Sequence, residues 1–141
     1  MREFQEMNND GCIIACFDHD YLCGYIVVSS IELNRQFPLV AAMIDSFPKI
    51  IYKGKLLVDY NAIISGPVCI DKNYRGKGIL ANLIENIKKF LQRKISCPEL
   101  LITLISGENS RSIRAHEKAG MKVISQFKFD KSIFFILVML L

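Results

Sequence analysis

A chain of 141 residues, 51% of them hydrophobic, is sized for one globular domain spanning residues 1–141, and this composition excludes intrinsic disorder. The net charge of +4 is mild and its basic residues gather at 72–77 and 88–94, so nucleic-acid binding is not indicated. Five cysteines (Cys12, Cys16, Cys23, Cys69, Cys97) form no C-x-x-C pair and read as reduced thiols of a cytoplasmic chain, while the distant His19 and His116 assemble no metal site.

In chain order, residues 2–9 hold a short helix-like piece around Phe4 and Met7, read as a frayed terminus, and no signal segment precedes the first strand. Residues 12–17 and 21–29 are apolar and β-rich, and the polar Asp18-His19-Asp20 between them predicts a hairpin. Residues 37–44 predict a helix with Pro38 in its first turn, closed before Pro48, and Lys53-Gly54-Lys55 predicts a turn. The run 62–70 is a strand in which Pro67 removes a ladder donor, so a bulge or bend is expected there.

A short basic loop with Gly76 and Gly78 comes next, then an amphipathic helix opening at Ile79. Its Ile79, Leu80, Leu83, Ile84, Ile87, Phe90 and Leu91 share one face. After Pro98, residues 100–105 form a near-continuous apolar run, as for a strand covered on both sides. Strand, crossover helix and strand make a right-handed βαβ unit with parallel strands. Residues 109–118 predict a helix capped at Gly120, and 122–129 with 132–140 predict a hairpin about Asp130-Lys131. The apolar end, 133–141, is too short to span a bilayer and reads as a buried strand.

A strand that feeds a glycine turn into a helix N-terminus is an anion site, because unpaired amides and the helix dipole both favour negative charge there. Gly76 and Gly78 let the backbone close on an oxygen, and Arg75 and Lys77 add charge. A P-loop is excluded: Ile79 and Leu80 follow Gly78 where Lys and Ser or Thr are needed. The dinucleotide fingerprint fits Gly76, Gly78 and Ala81, but residues 71–75 separate it from its strand and no acid stands at the ribose position.

The run Asn73-Tyr74-Arg75-Gly76-Lys77-Gly78 resembles the pyrophosphate loop [Q/R]-x-x-G-x-[G/A] of the GNAT superfamily of acyl-CoA-dependent N-acyltransferases, with Asn73 as the departure. A second family pattern lies at Asn109, Ser112, His116, Lys118 and Gly120, with Met121 where the family carries an aromatic residue. The resemblance runs from about Gly11 to the C-terminus. It implies an α+β fold, a mixed sheet with helices on both faces and a central βαβ unit whose strand pair splays. Little chain precedes the hairpin, so the family's first strand is expected to be absent.

The resemblance further implies acetyl-CoA as cosubstrate, no metal, and direct transfer of the acetyl group to an amine of a small molecule or peptide. The cofactor pyrophosphate would lie on Arg75, Gly76, Lys77, Gly78, Ile79 and Leu80. Pantetheine would pair with backbone groups of Val68 and Ile70, and amides near Cys69 would hold the thioester oxygen. Asn109 and Ser112 would contact the cofactor arm, and Asn109 reads equally as a helix N-cap. His116 stands where many family members carry a tyrosine that protonates the departing thiolate; its other reading is a cofactor-facing residue without a chemical role.

For the general base, Glu32 and Asp71 are nearest by position, neither with a motif behind it. A binding module for acyl-CoA, or an inactive fragment, is the alternative to an enzyme. No nucleic-acid or membrane partner is expected, and an uncovered first strand invites a homodimer.

Overall fold

The computed structural model describes residues 2–141, with side chains from residue 5 onward. Helix α1 (Arg2–Asp10) is followed by a hairpin of β1 (Cys12–Asp18) and β2 (Tyr21–Ser30). A connection then carries α2 (Ile31–Asn34), α3 (Pro38–Ser46) and the small hairpin β3 (Ile51–Tyr52) and β4 (Lys55–Leu56). The central unit is β5 (Ala62–Ile70), α4 (Ile79–Leu91) and β6 (Leu100–Ser106), and α5 (Ser110–Lys118), β7 (Lys122–Phe129) and β8 (Ser132–Leu140) close the chain. Six strands form one sheet in the order β1-β2-β5-β6-β8-β7, antiparallel everywhere except between β5 and β6. The crossover helix α4 returns the chain to the end of the sheet where β5 began, so β6 runs parallel to it.

The α+β class, the mixed sheet and the βαβ unit are therefore as the sequence implies, and among the described residues no strand lies outside β1. Side-chain alternation divides the core in two. Ile63 of β5, Leu101 and Ile105 of β6 and Leu137 of β8 pack with Leu80, Leu83, Ile84, Ile87 and Leu91 of α4. Their neighbours Ile64, Leu100, Ile102, Ile136 and Val138 pack on the other face with Met43 and Ile44 of α3. Each such aliphatic side chain contributes roughly 1.5–3 kcal/mol on burial, so the sheet is fixed from both sides. Phe90, predicted for the buried stripe, sits at its margin with 37% exposure.

Three local outcomes differ from the expectation. The first segment is a nine-residue helix rather than a frayed end, tied by a bond from Gly11 N–H to the Met7 carbonyl (2.8 Å). Gly11 is needed there, since a Cβ would stand 1.9 Å from the Val28 carbonyl oxygen. Helix α2 is an addition: Ser30 Oγ caps it by accepting from Leu33 N–H at 3.1 Å. Helix α3 runs two residues beyond the expected Ile44 and hands over to a turn of 3₁₀-helix, Phe47–Lys49, which holds Pro48. The closing hairpin turns through Asp130 and Lys131, both at positive φ, the geometry of a two-residue turn that matches strand twist.

Two features of β5 shape the cavity beside it. Against β2, Ile26 pairs with Val68 and Val28 with Ser65, so Gly66 and Pro67 together oppose Val27, which is the bulge Pro67 implied. Against β6, pairing ends at Ile64 and Ile102, and the strands part beyond it. The last link is a side chain, Thr103 Oγ1 donating to the Ser65 carbonyl at 2.8 Å in a buried setting. Thr103→Val keeps the shape and removes the donor, so it is expected to lower unfolding free energy by about 1 kcal/mol with an unchanged m-value in urea titration.

Candidate active site

The parting of β5 and β6 opens a cavity of about 480 Å³ that passes through the sheet. On the α5 side its wall includes Ser65, Val68, Thr103, Asn109, Ser112 and His116; on the α3 side it includes Met7, Phe37, Val40, Ile64 and Leu104. That volume suits a small-molecule site with an apolar lining and few polar groups.

Backbone groups are available along one rim. Asp71 N–H donates to the Cys23 carbonyl, so the antiparallel alternation makes Cys69 and Tyr25 the next hydrogen-bonded pair. The amides of Val68 and Ile70 then point away from β2 toward the gap, whereas that of Cys69 belongs to the ladder. Of the three residues named from sequence, Val68 and Ile70 offer open amides. The Ile70 carbonyl is already engaged by Arg75 Nε at 3.2 Å.

Beyond Ile70, Asp71 caps a turn of 3₁₀-helix, Lys72–Tyr74, by accepting from Asn73 N–H at 2.8 Å. Gly76 (φ +76°) and Gly78 (φ +77°) then turn the chain into α4, with Gly78 as its N-cap. A Cβ built on either glycine meets nothing within 4 Å, so the space beside the turn at the head of α4 is open. This is the cradle expected for Arg75, Gly76, Lys77, Gly78, Ile79 and Leu80.

The loop is braced from a distance. Tyr21 Oη, on β2, donates to Asp71 Oδ2 at 2.7 Å, and Tyr74 Oη, in the loop, donates to Asp18 Oδ2 at 2.8 Å on β1. The two rings stack with centroids 5.7 Å apart, and Lys77 Nζ lies 5.0 Å over the Tyr74 ring. The hairpin tip and the glycine loop thus exchange one hydroxyl and one carboxylate each. Asp71 is held below the usual carboxylate range by the Tyr21 hydroxyl and the Asn73 amide, and Asp18 by the Tyr74 hydroxyl and then His19. Tyr74 is pushed up to about 12 by its bond to Asp18.

Helix α5 carries the other polar wall. Asn109 is its N-cap, with Oδ1 accepting from Ser112 N–H at 3.1 Å, so the capping reading holds while its position on the cavity wall is kept. His116 is buried (4% exposed), with Nδ1 2.8 Å from the Ser112 carbonyl and 3.4 Å from Ser112 Oγ. A carbonyl only accepts, so Nδ1 carries the proton. Among the described residues, His116 Nε2 and Ser65 Oγ are buried without a hydrogen-bond partner. Burial lowers the His116 pKa, against the smaller opposing effect of the Ser112 carbonyl.

Glu32 and Asp71 are absent from the cavity wall. Ser65 and Thr103 were not legible as site residues; a Ser before Gly66-Pro67 in an apolar strand was the only signal. Phe37 and Val40 reach the wall through a connection with no motif. Among the described residues no cluster suits a metal ion.

The parted strands β5 and β6 and the glycine turn at the head of α4 follow one another along one stretch of chain. Residues 1–121 match the acetyltransferase (GNAT) family, and the chain belongs to it. No functionally curated protein matches this sequence. Among solved structures the chain is similar to yncA of Salmonella typhimurium with acetyl-CoA, at 16% identity and TM-score 0.59 over 91% of this chain. It spans 63% of that protein. The ribosomal-protein-alanine N-acetyltransferase of Brucella melitensis gives 18% identity and TM-score 0.64, covering 99% of this chain and 75% of its own. Arabidopsis thaliana NAA60 with acetyl-CoA gives 16% and 0.65, covering 99% and 82%. At these identities the likeness is one of fold.

The brace has a definite pH window. Depressed carboxylates contribute above the ordinary carboxylate range and lose that contribution as pH falls through their folded values; the raised Tyr74 contributes below about 10 and loses it as pH rises toward about 12. Tyr21→Phe and Tyr74→Phe are each expected to increase backbone mobility at Gly76 and Gly78, seen as lower ¹⁵N order parameters. Wild-type protein should show the same loosening in acid.

Proposed function

We propose that the chain is an N-acetyltransferase, one domain over residues 1–141, that moves the acetyl group of acetyl-CoA directly to an amine. The observation that carries this reading is the continuity of three elements: the glycine cradle at the head of α4, the open amides of Val68 and Ile70, and the cavity beyond them. The residues fit the cosubstrate. The cradle has room where a Cβ would stand at Gly76 and Gly78, and the orphaned His116 Nε2 is a buried polar atom awaiting a partner.

In this reading Arg75, Gly76, Lys77, Gly78, Ile79 and Leu80 hold the pyrophosphate, Arg75 and Lys77 by charge and the others by amides. Val68 and Ile70 pair with pantetheine, and the Val68 amide, next to the bulge, faces the thioester oxygen in place of the laddered Cys69. Asn109 and Ser112 flank the cofactor arm, and His116 handles the proton at sulfur. A cysteine mechanism is disfavoured, since Cys69 has no histidine partner in the structure and Cys12 is pushed up by burial. The acceptor is an amine of a small molecule or a peptide. Five free thiols suit the cytoplasm.

Gly78→Val is expected to abolish acetyl-CoA binding in calorimetry, because a β-branched residue at φ +77° is strained and fills the cradle. Arg75→Ala, which leaves that backbone intact, should weaken binding by roughly 1–3 kcal/mol. Unchanged affinity in both overturns the assignment, and binding without thiol release across an amine panel favours a binding module. A second copy pairing along β1, which has β2 as its one sheet neighbour, is also proposed. Sedimentation should then give a concentration-dependent dimer, and a monomer at high concentration counts against it.

A further inference from the structure

The reaction needs two proton movements, one off the amine nitrogen and one onto the sulfur, yet no carboxylate lines the cavity among the described residues. Among the described residues of its wall, His116 is the only titratable side chain. Its Nδ1 is committed as a donor to the Ser112 carbonyl, one helical turn back on the same face of α5. That commitment leaves Nε2 as a lone pair, an acceptor and not an acid. A tyrosine in this place has a proton to give at rest; this histidine does not.

We propose that His116 Nε2 is a proton relay serving both steps: it takes the proton of the attacking amine and then delivers that proton to the departing sulfur. This rests on the acetyl-transfer reading of the site. The balance closes within the site. The nitrogen–carbon bond forms as the amine adds, and the N–H proton moves to Nε2, making an imidazolium. The carbon–sulfur bond then breaks, its electron pair stays on sulfur, and Nε2 returns the proton to make the thiol. His116 ends neutral, with no external base or acid consumed. Nitrogen and sulfur are briefly attached to one carbon, so a single imidazole edge reaches both.

The surroundings favour this order. No charged group contributes to the setting of His116, which is determined by burial first and the Ser112 carbonyl second. Arg111, Arg114, Glu117 and Lys118 of its own helix are exposed, as are Glu85 and Lys89 of α4 and Lys122 and Lys128 of β7, and Lys88 is half-buried. Burial lowers the His116 pKa and so favours its neutral form. An unpartnered buried nitrogen is destabilising until a donor arrives. Nε2 is covered in the fold, so entry of the thioester must part the wall beside it.

With His19 and His116 as the only histidines, ¹⁵N-histidine NMR of the intact chain reads the tautomer directly. At pH 7 His116 is expected to show a protonated Nδ1 and an unprotonated Nε2. Addition of coenzyme A, the thiol product, should shift Nε2 and leave Nδ1 in place. An imidazolium or an Nε2–H tautomer at pH 7 overturns the relay. Amide shifts at Gly76 and Gly78 report whether coenzyme A binds at all: failure there defeats the acyl-CoA reading, whereas binding with an unmoved Nε2 defeats the relay alone. On the kinetic side, the relay requires kcat to fall as pH drops through the His116 pKa, and His116→Ala to lower kcat about hundredfold with acetyl-CoA affinity kept. An alkaline loss of kcat instead identifies a simple acid.

Discussion

Everything functional in this fold depends on where the β5–β6 ladder stops. Three residue pairs hold the strands together and Thr103 then donates to Ser65, after which no strand pairing joins them among the described residues. Parallel neighbours normally bury their backbone groups in each other. Here the amides of Val68 and Ile70 go unmatched by β6, and in the proposed reading they are offered to an extended ligand with its own amides. The bulge at Gly66 and Pro67 keeps the far side of β5 attached to β2 while this happens, so the opening is confined to one edge. The rest of the sheet, packed on both faces, keeps the gap from collapsing.

Much of this was legible in the sequence. Period-2 and period-3.6 patterns located β5, β7, β8 and the start of α4 to the residue, because those elements bury one clean stripe or run. The glycine loop was legible because positive φ and open space admit few other residues. Most of what escaped left no periodic pattern in the sequence. Helix α2 is only four residues and exists through its Ser30 cap, a local bond with no periodicity to betray it. Phe90 lies on the apolar stripe but beyond the edge of what the sheet covers. The tyrosine–aspartate brace joins residues 50 and 56 positions apart, and no spacing rule connects them.

That brace explains why a loop built of glycines can be ordered. Two residues at positive φ give the backbone reach at the cost of entropy, and a loose loop would spend binding free energy on ordering itself. Tyr74 is anchored to β1 and Asp71 to β2, so the two ends of the turn are tied to the same hairpin. Lys77 lies over Tyr74, which keeps its ammonium beside the loop rather than free in solution. Preorganisation is thus supplied from outside the cavity, by groups that need touch no ligand.

The two walls of the cavity divide the chemistry. On the α5 side are hydroxyls, an amide and one imidazole; on the α3 side are Met7, Phe37 and Val40, with the Asn34 amide already donating to Ser29 and Ser30. An ammonium brought against that apolar wall loses its hydration and gains no counter-charge, so its uncharged form is favoured. The uncharged amine is the one with a lone pair to attack with. A carboxylate on the wall would stabilise the wrong protonation state before the reaction and would be needed as a base only afterwards. Under the proposed relay a neutral imidazole avoids that conflict: it would leave the amine neutral on arrival, and its lone pair would become useful only when the new bond makes the nitrogen acidic.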